Sequence, residues 1–312
     1  MEFRPTFMMC EPMPGSSGFP LVSICMPAYN HAKFVVRALE SAMQDPYPNK
    51  EIIIVDDGST DGTPDMVERW AAEHRGSIEL RLFKVRHGGV ARALNRAIAE
   101  ARGDFCALLA SDDELVPGGI EVRVRLLQSQ PAKRVAFADA QVIDADGAVM
   151  WPSAFKDMRH RDTRAFATVR GVQQEFIRHW SMPGSVAMFR KVQGESEIPF
   201  DPSLSLEDWD FFLRFAATGE VVYADSLVTR YRVHSGNEHM VREHRLQQLM
   251  DARRTALKTS GLFGMAGRVA LLGFALKCSV SIVLEPVRRI LGINSFKESY
   301  VKWLRRLMGR ST

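Results

Sequence analysis

EIIIVDDGSTDGT (51–63) decides the fold. Ile52, Ile53, Ile54 and Val55 make a β-branched run too short for a helix, and it stops at two aspartates and a turn rich in Gly, Ser and Thr. A run that is apolar throughout, rather than at every second residue, belongs to a strand covered on both faces. The stretch 63–74 reads as helical, with Asp61 expected to cap it and Pro64 in its first turn. The same unit recurs on either side. LVSICM (21–26) precedes a helical stretch at 33–44, and IELRLFKV (78–85), which alternates, precedes one at 90–101. DFCALLA (104–110) precedes another at 118–128, and RVAFA (134–138) reads as a fifth strand. Such repeats with short connections imply a mostly parallel, Rossmann-like sheet with helices on both faces. Ligands of these sheets bind beyond the carboxyl ends of the strands. The places to look are therefore just after Met26, Val55, Val85 and Ala110.

After residue 140 the regularity fades. VAMFR (186–190), EVVYA (220–224) and SLVTRYRV (226–233) read as strands, 206–217 as a helix, and 191–202 as a polar loop. Residues 238–260 read as a helix ending at Gly261. The apolar stretch 269–287 carries Lys277, Ser281, Glu285 and Arg288 at helical spacing, a single polar stripe. Residues 1–20, rich in Pro, Met, Gly and Ser, read as a loose leader. The 312 residues are 46% apolar and 25% charged, as in an ordinary globular protein able to bury a sizeable core. Net charge is +4, yet residues 286–312 alone hold seven basic residues against one acid, which points to an anionic surface near that end. Cys10, Cys25, Cys106 and Cys278 have no metal or disulfide spacing and read as buried free thiols. Glu2 and Pro5 stand where an export signal needs positive charge and an apolar run, so a cytoplasmic location is expected.

Three strand ends carry polar clusters: PAYN (27–30), DDGSTDGT (56–63) and SDDE (111–114). Paired carboxylates at two neighbouring strand ends suit a site that holds a divalent cation and a polar ligand. One competing pattern sits here. Asp57, Ser59, Asp61, Gly62 and Glu68 match a calcium loop of the helix–loop–helix kind, but the run entering it reads as a strand rather than a helix.

VSICMPAYN, IIIVDDGSTDGT, GGVARALNRAI, DFCALLASDDELVPGGIE, LEDWDFFLRFA and YRVH, in this order, resemble the successive motifs of family 2 glycosyltransferases of GT-A fold, over roughly residues 21–240. The resemblance implies a nucleotide-sugar binding half (21–140), an acceptor half (141–240) and a C-terminal helical, basic extension (241–312). It also implies an inverting transfer from a nucleotide-diphosphate sugar, a UDP-sugar being favoured, to a hydroxyl of a glycan or lipid-linked acceptor, assisted by Mn²⁺ or Mg²⁺. By the resemblance, Pro27 and Tyr29 border the base and Asp57 bonds the uracil or ribose. Arg92 approaches the base or diphosphate, Asp112 meets the ribose or sugar, and Asp113 ligates the metal with His234 as a further ligand. Asp208 is the general base, a role that fits a carboxylate within reach of a hydroxyl that must lose its proton. Glu207 reads as orienting the acceptor or capping the helix, Trp180 and Ser181 as lining the acceptor pocket, and Arg232 as pairing with a phosphate or a carboxylate, and His87 stands where the family commonly has Asn. Asp210 reads as a solvated helix residue, and Trp209, Phe211, Phe212 and Phe215 as core.

No nucleic-acid partner is expected. For 269–308, three arrangements are open: peripheral contact with the inner face of a membrane, a homodimer, or packing on the catalytic domain. The competing functions are a nucleotide-sugar-binding protein without catalysis, which would lack one of the acids above, and the calcium module.

Overall fold

The computed structural model describes residues 18–179, 184–191, 200–236 and 245–290. Most of the leader, Trp180 and the basic segment 296–308 lie outside the described residues. The elements run β1 (Val22–Ala28), α1 (Val35–Gln44), β2 (Lys50–Asp56), α2 (Thr63–Glu73), β3 (Glu79–Lys84), α3 (Val90–Glu100) and β4 (Phe105–Leu108). They continue with β5 (Glu114–Leu115), α4 (Gly119–Ser129), β6 (Val135–Ile143), β7 (Val149–Trp151), α5 (Val169–Arg178) and β8 (Met188–Arg190). The last four are α6 (Glu207–Ala217), β9 (Val221–Arg232), α7 (Arg245–Ser260) and α8 (Met265–Ile290).

These elements form two compact units. The first holds the sheet, in the order β3-β2-β1-β4-β8-β6-β9-β5, with β7 paired to β6. Its first four strands are parallel. Beyond β4 the character changes: β8 is antiparallel to both β4 and β6, β7 to β6, and β5 to β9. EVVYA and SLVTRYRV, read separately in the sequence, form one continuous strand, β9.

Burial follows the run type. Ile52 to Val55 are wholly buried, as are Ile24 to Met26 and Cys106 to Ala107. Each large aliphatic side chain removed from water contributes about 1.5–3 kcal/mol. β3, whose sequence alternates, is the partly exposed edge. Cys25, Cys106 and Cys278 are buried free thiols. Asp61 does not act as the N-cap of α2. That position is Gly62, and the Asp61 carboxylate instead takes the Thr63 N–H at 3.0 Å and, from β1's side, the Ala32 N–H at 2.9 Å.

The opposite end of the parallel strands is closed by one buried acid. Glu51 accepts from the Ser23 hydroxyl at 2.6 Å, the Arg102 N–H at 2.8 Å, the Arg102 guanidinium at 2.7 Å and Arg81 at 3.0 Å. Burial alone would raise the Glu51 pKa. The hydroxyl and the two arginines outweigh it, and the pKa lies below its ordinary value.

The second unit contains α5 to α8. The Trp209 indole donates to the Phe176 carbonyl at 2.8 Å, and Phe176 packs on Phe212 at 5.2 Å between ring centres, which joins α5 to α6. Trp209, Phe211 and Phe212 are core, as expected. Asp210 is not solvated. It is fully buried and paired with Arg214 at 2.9 Å and Lys258 at 3.0 Å, because α6 packs against α7 on that side. Along the polar stripe of α8, Lys277 is exposed and Ser281 half-buried. Glu285 is buried while its apolar neighbours Val283 and Leu284 are exposed.

A carboxylate with a depressed folded-state pKa contributes stability that is present above its unfolded pKa, near 4.5, and is lost as pH falls through the lower folded value. Glu51→Gln is expected to lower stability by about 3 kcal/mol at neutral pH. It should also flatten the loss of stability below about pH 4.5 relative to the native chain. Urea denaturation from pH 3 to 7, about half a unit apart, measures both.

Candidate active site

The carboxyl ends of β1, β2 and β4 bring two clusters to one edge of the sheet. At the first, Asp57 follows β2 and hydrogen-bonds through its own N–H to the Ala28 carbonyl of β1 at 2.8 Å. Its buried carboxylate takes the Gly88 and Gly89 N–H groups, both at 2.8 Å, and lies 2.9 Å from the His87 imidazole Nδ1. This draws the turn before α3 against the end of β2. Gly58 is required there: its φ is +76°, and a Cβ would stand 2.9 Å from the His87 nitrogen. The His87 ring stacks on Tyr29 at 4.4 Å with 25° between the planes, and Tyr29 is 37% exposed. The two rings lie face to face at the sheet edge. Pro27 lies within β1, opposite Val55. Arg92, in the first turn of α3, is exposed.

The second cluster follows β4. Asp112 and Asp113 are adjacent in the chain and differ in what holds them. Asp113 is buried, with one carboxylate oxygen taken by the Ser185 hydroxyl and the other by the Arg232 backbone N–H at 2.9 Å. Burial, and then the neighbouring Asp112 charge, push its pKa well above the usual carboxylate range, against the pull of Ser185 and Arg232. Asp112 instead directs its carboxylate to His31, 3.8 Å from Nε2. The other nitrogen of that ring, Nδ1, lies 2.8 Å from the Ser111 hydroxyl, and the His31 backbone N–H is held by Thr63 at 2.9 Å. Arg232 pairs with carboxylates, as one of its two expected roles had it. Its guanidinium meets Glu114 and donates to the Asp112 carbonyl at 2.8 Å and the Asp144 carbonyl at 3.1 Å.

Two donor atoms thus converge without a strong mutual bond, a carboxylate oxygen and an imidazole nitrogen. Both are ligands for a hard or borderline divalent ion, so the residues present fit Mn²⁺ or Mg²⁺. The sequence reading missed His31 although it stands next to PAYN at the end of β1, where polar residues of such sheets belong to the site. It also missed Ser185, whose part depends on a contact 72 residues distant in the chain. The spacing at Asp57 is entered by β2 and not by a helix, which removes the calcium-loop geometry.

Glu207, Asp208 and His234 belong to the second unit. Glu207 and Asp208 open α6; Glu207 is buried and Asp208 half-buried. His234 stands two residues beyond Arg232, where β9 ends.

A sheet with four parallel strands that continues into antiparallel ones, with polar clusters at the carboxyl ends of its parallel strands, is the architecture expected of a GT-A fold. The comparisons with known proteins agree. The glycosyl transferase family 2 model matches residues 23–192, more than half of the chain, and the chain belongs to that family. It is 33% identical over 138 residues to the chondroitin synthase of Escherichia coli, covering 43% of this chain and 20% of that one. Among solved structures it resembles S. aureus TarS 1-349 in complex with UDP-GlcNAc, with a TM-score of 0.61, 19% identity, and 90% and 77% of the two chains covered. It also resembles the mannosyltransferase PcManGT from Pyrobaculum calidifontis in complex with GDP-Man and Mn²⁺, with a TM-score of 0.58, 18% identity, and 94% and 87% covered. The chain spans 31%, 64% and 20% of the length of three curated relatives that it matches.

The two aspartates are expected to separate in a stability measurement. Asp113→Ala strands the Ser185 hydroxyl and the Arg232 N–H and should lower stability by about 2–3 kcal/mol. Asp112→Ala should stay within about 1 kcal/mol of the native chain, or rise above it as the charge beside Asp113 is removed. Chemical denaturation of both variants at neutral pH measures the difference.

Proposed function

We propose that the chain is an inverting glycosyltransferase that moves a sugar from a nucleotide diphosphate, UDP being favoured, to a hydroxyl of a glycan or lipid-linked acceptor. The observation that carries this reading is the pairing, at one sheet edge, of the Tyr29–His87 aromatic stack with the Asp112–His31 donor pair. A base, a ribose and a diphosphate need those two chemistries side by side. Likeness to structures holding UDP-GlcNAc and GDP-Man with Mn²⁺ supports the donor class.

The roles follow from the contacts. The Tyr29–His87 stack meets the base, with Pro27 at its border. Asp57 holds the His87 turn in place through the Gly88 and Gly89 N–H groups and bonds the uracil or ribose by its remaining acceptor capacity. Arg92, exposed beside that turn, meets the diphosphate. The resemblance gives the metal to Asp113 and the ribose or sugar to Asp112. The contacts favour Asp112 for the metal, since its carboxylate lies 3.8 Å from the His31 imidazole, while Asp113, with its two oxygens held by Ser185 and Arg232, is a positioning residue. His234 joins as a further ligand. Two residues of chain reach about 7 Å, and Arg232, two residues before it, is tied to Asp113. A bound Mn²⁺ or Mg²⁺ would neutralise charge on the departing diphosphate oxygens.

Asp208 is the general base. The acceptor oxygen forms its bond to the anomeric carbon as the bond to the diphosphate breaks, the hydroxyl proton passes to an Asp208 carboxylate oxygen, and the nucleoside diphosphate leaves. Attack from the face opposite the leaving group inverts the anomeric centre. Glu207 and Trp180 orient the acceptor.

A thermal-shift series with UDP, GDP and dTDP and their sugars, with and without Mn²⁺, tests the donor reading. One nucleotide is expected to stabilise the chain, more strongly with Mn²⁺, and Asp112→Asn is expected to abolish the metal-dependent part. Failure of every nucleotide diphosphate to bind would overturn the proposal. Asp208→Asn is expected to keep nucleotide binding while turnover falls by about 10³-fold. Turnover within about tenfold of native would remove Asp208 from the mechanism.

A further inference from the structure

The outward face of α8 is apolar from Met265 to Leu284. Met265, Val269, Leu272, Leu276, Val280 and Val283 are 41–77% exposed. At about 100° per residue they fall within about 40° of one line along the helix. Arg268 and Lys277, both exposed, border this stripe on opposite sides, roughly 80° and 100° from its centre. The charge around it is of one sign. Arg253 and Arg254 of α7 and Arg268 and Lys277 of α8 are exposed, whereas the acids of the two helices, Asp251 and Glu285, are both buried. The sequence continues in the same sense, with seven basic residues and one acid from 286 to 312.

We propose that this face docks on an anionic phospholipid bilayer, with α8 lying in the plane of the interface. An apolar stripe flanked by cations, with the acids withdrawn, is complementary to acyl chains below and phosphate headgroups above. The chemistry of the rim excludes the other occupants in turn. A second copy laid against the stripe would bring like charges together along both borders. A membrane-spanning role has support in length alone, since Met265–Glu285 is long and apolar enough to cross. Its inner side, however, is committed within the second unit. Arg253 of α7 donates to the Ser279 hydroxyl at 2.8 Å, the Trp209 ring of α6 packs edge-on against Phe274 at 5.2 Å, and Leu271, Ala275 and Cys278 are buried. Crossing a bilayer would strip these contacts and place Lys277 in hydrocarbon. The proposal is independent of the transferase reading: it concerns a different surface and asks nothing of the donor.

Flotation of the full chain with phosphatidylglycerol–phosphatidylcholine vesicles, against phosphatidylcholine alone, tests it. The native chain is expected to float with the anionic vesicles and to be released by high salt or alkaline carbonate. Leu276→Glu combined with Val283→Glu replaces exposed residues only. It is expected to weaken binding by at least about tenfold with the melting temperature unchanged. Arg268→Gln combined with Lys277→Gln is expected to weaken it on anionic vesicles specifically. Equal recovery of the native chain and the double-Glu variant with vesicles would overturn the proposal. So would resistance to carbonate extraction, which marks a spanning helix, or a native dimer in sedimentation that the double-Glu variant converts to monomer.

Discussion

The carboxylate of Asp113 is the constraint on which the active edge depends. It receives the Ser185 hydroxyl from the segment before β8 and the Arg232 N–H from the end of β9. Three segments that the chain brings together only by long-range contacts are thereby fixed at one point, just past β4. A buried acid costs stability unless its oxygens are satisfied, and here both are. Ser185 extends the tie by accepting the Ala110 N–H at 3.0 Å. Arg232 extends it to Glu114 and the carbonyls of Asp112 and Asp144. The backbone on both sides of Asp112 is consequently held by atoms other than the Asp112 side chain. That is the condition for a ligand group to be pre-positioned: its supports are complete before any ligand arrives.

The same arrangement divides the labour of two adjacent acids. Two carboxylates next to one another raise the cost of ionising both, and the buried member carries the larger penalty, as the upward pKa shift of Asp113 reflects. A cation held by Asp112 would offset that repulsion. At the other end of the parallel strands Glu51 solves the related problem differently, with two arginines and a hydroxyl around a single acid. That end of the sheet has its charge neutralised by the chain itself.

The parallel half of the fold was readable because its physics is local. Strands buried on both faces must be apolar without interruption, so 52–55 and 104–110 declared themselves, and the helix periods between them fixed the connections. The antiparallel half was not readable in the same way. β8 has three residues, and its place between β4 and β6 is set by partners more than 50 positions away. Within the site, composition located the acids but could not separate Asp112 from Asp113. The distinction lies in who donates to each, and the donors come from β9 and the turn before β8. His31 was legible in principle, being the residue after PAYN at a strand end. Asp210 was misread for a physical reason. Spacing tells which residues share a face of a helix, not which face the neighbouring helices cover, and α6 turns this acid inward.

The family match ends at residue 192. Glu207 and Asp208, the whole of α6, and the helices α7 and α8 come after it. The matched part thus takes in the strand ends of the parallel half, whose positions are dictated by a buried core that tolerates little change. The later part of the chain is built largely from helices whose mutual packing rests on a few large contacts, such as Trp209 with the Phe176 carbonyl and the Lys258–Asp210 pair. Helical units of this kind accept substitution on their outward faces without disturbing those contacts. Substitution is therefore easier to accommodate on the outward faces of these helices than among the buried strands before residue 192.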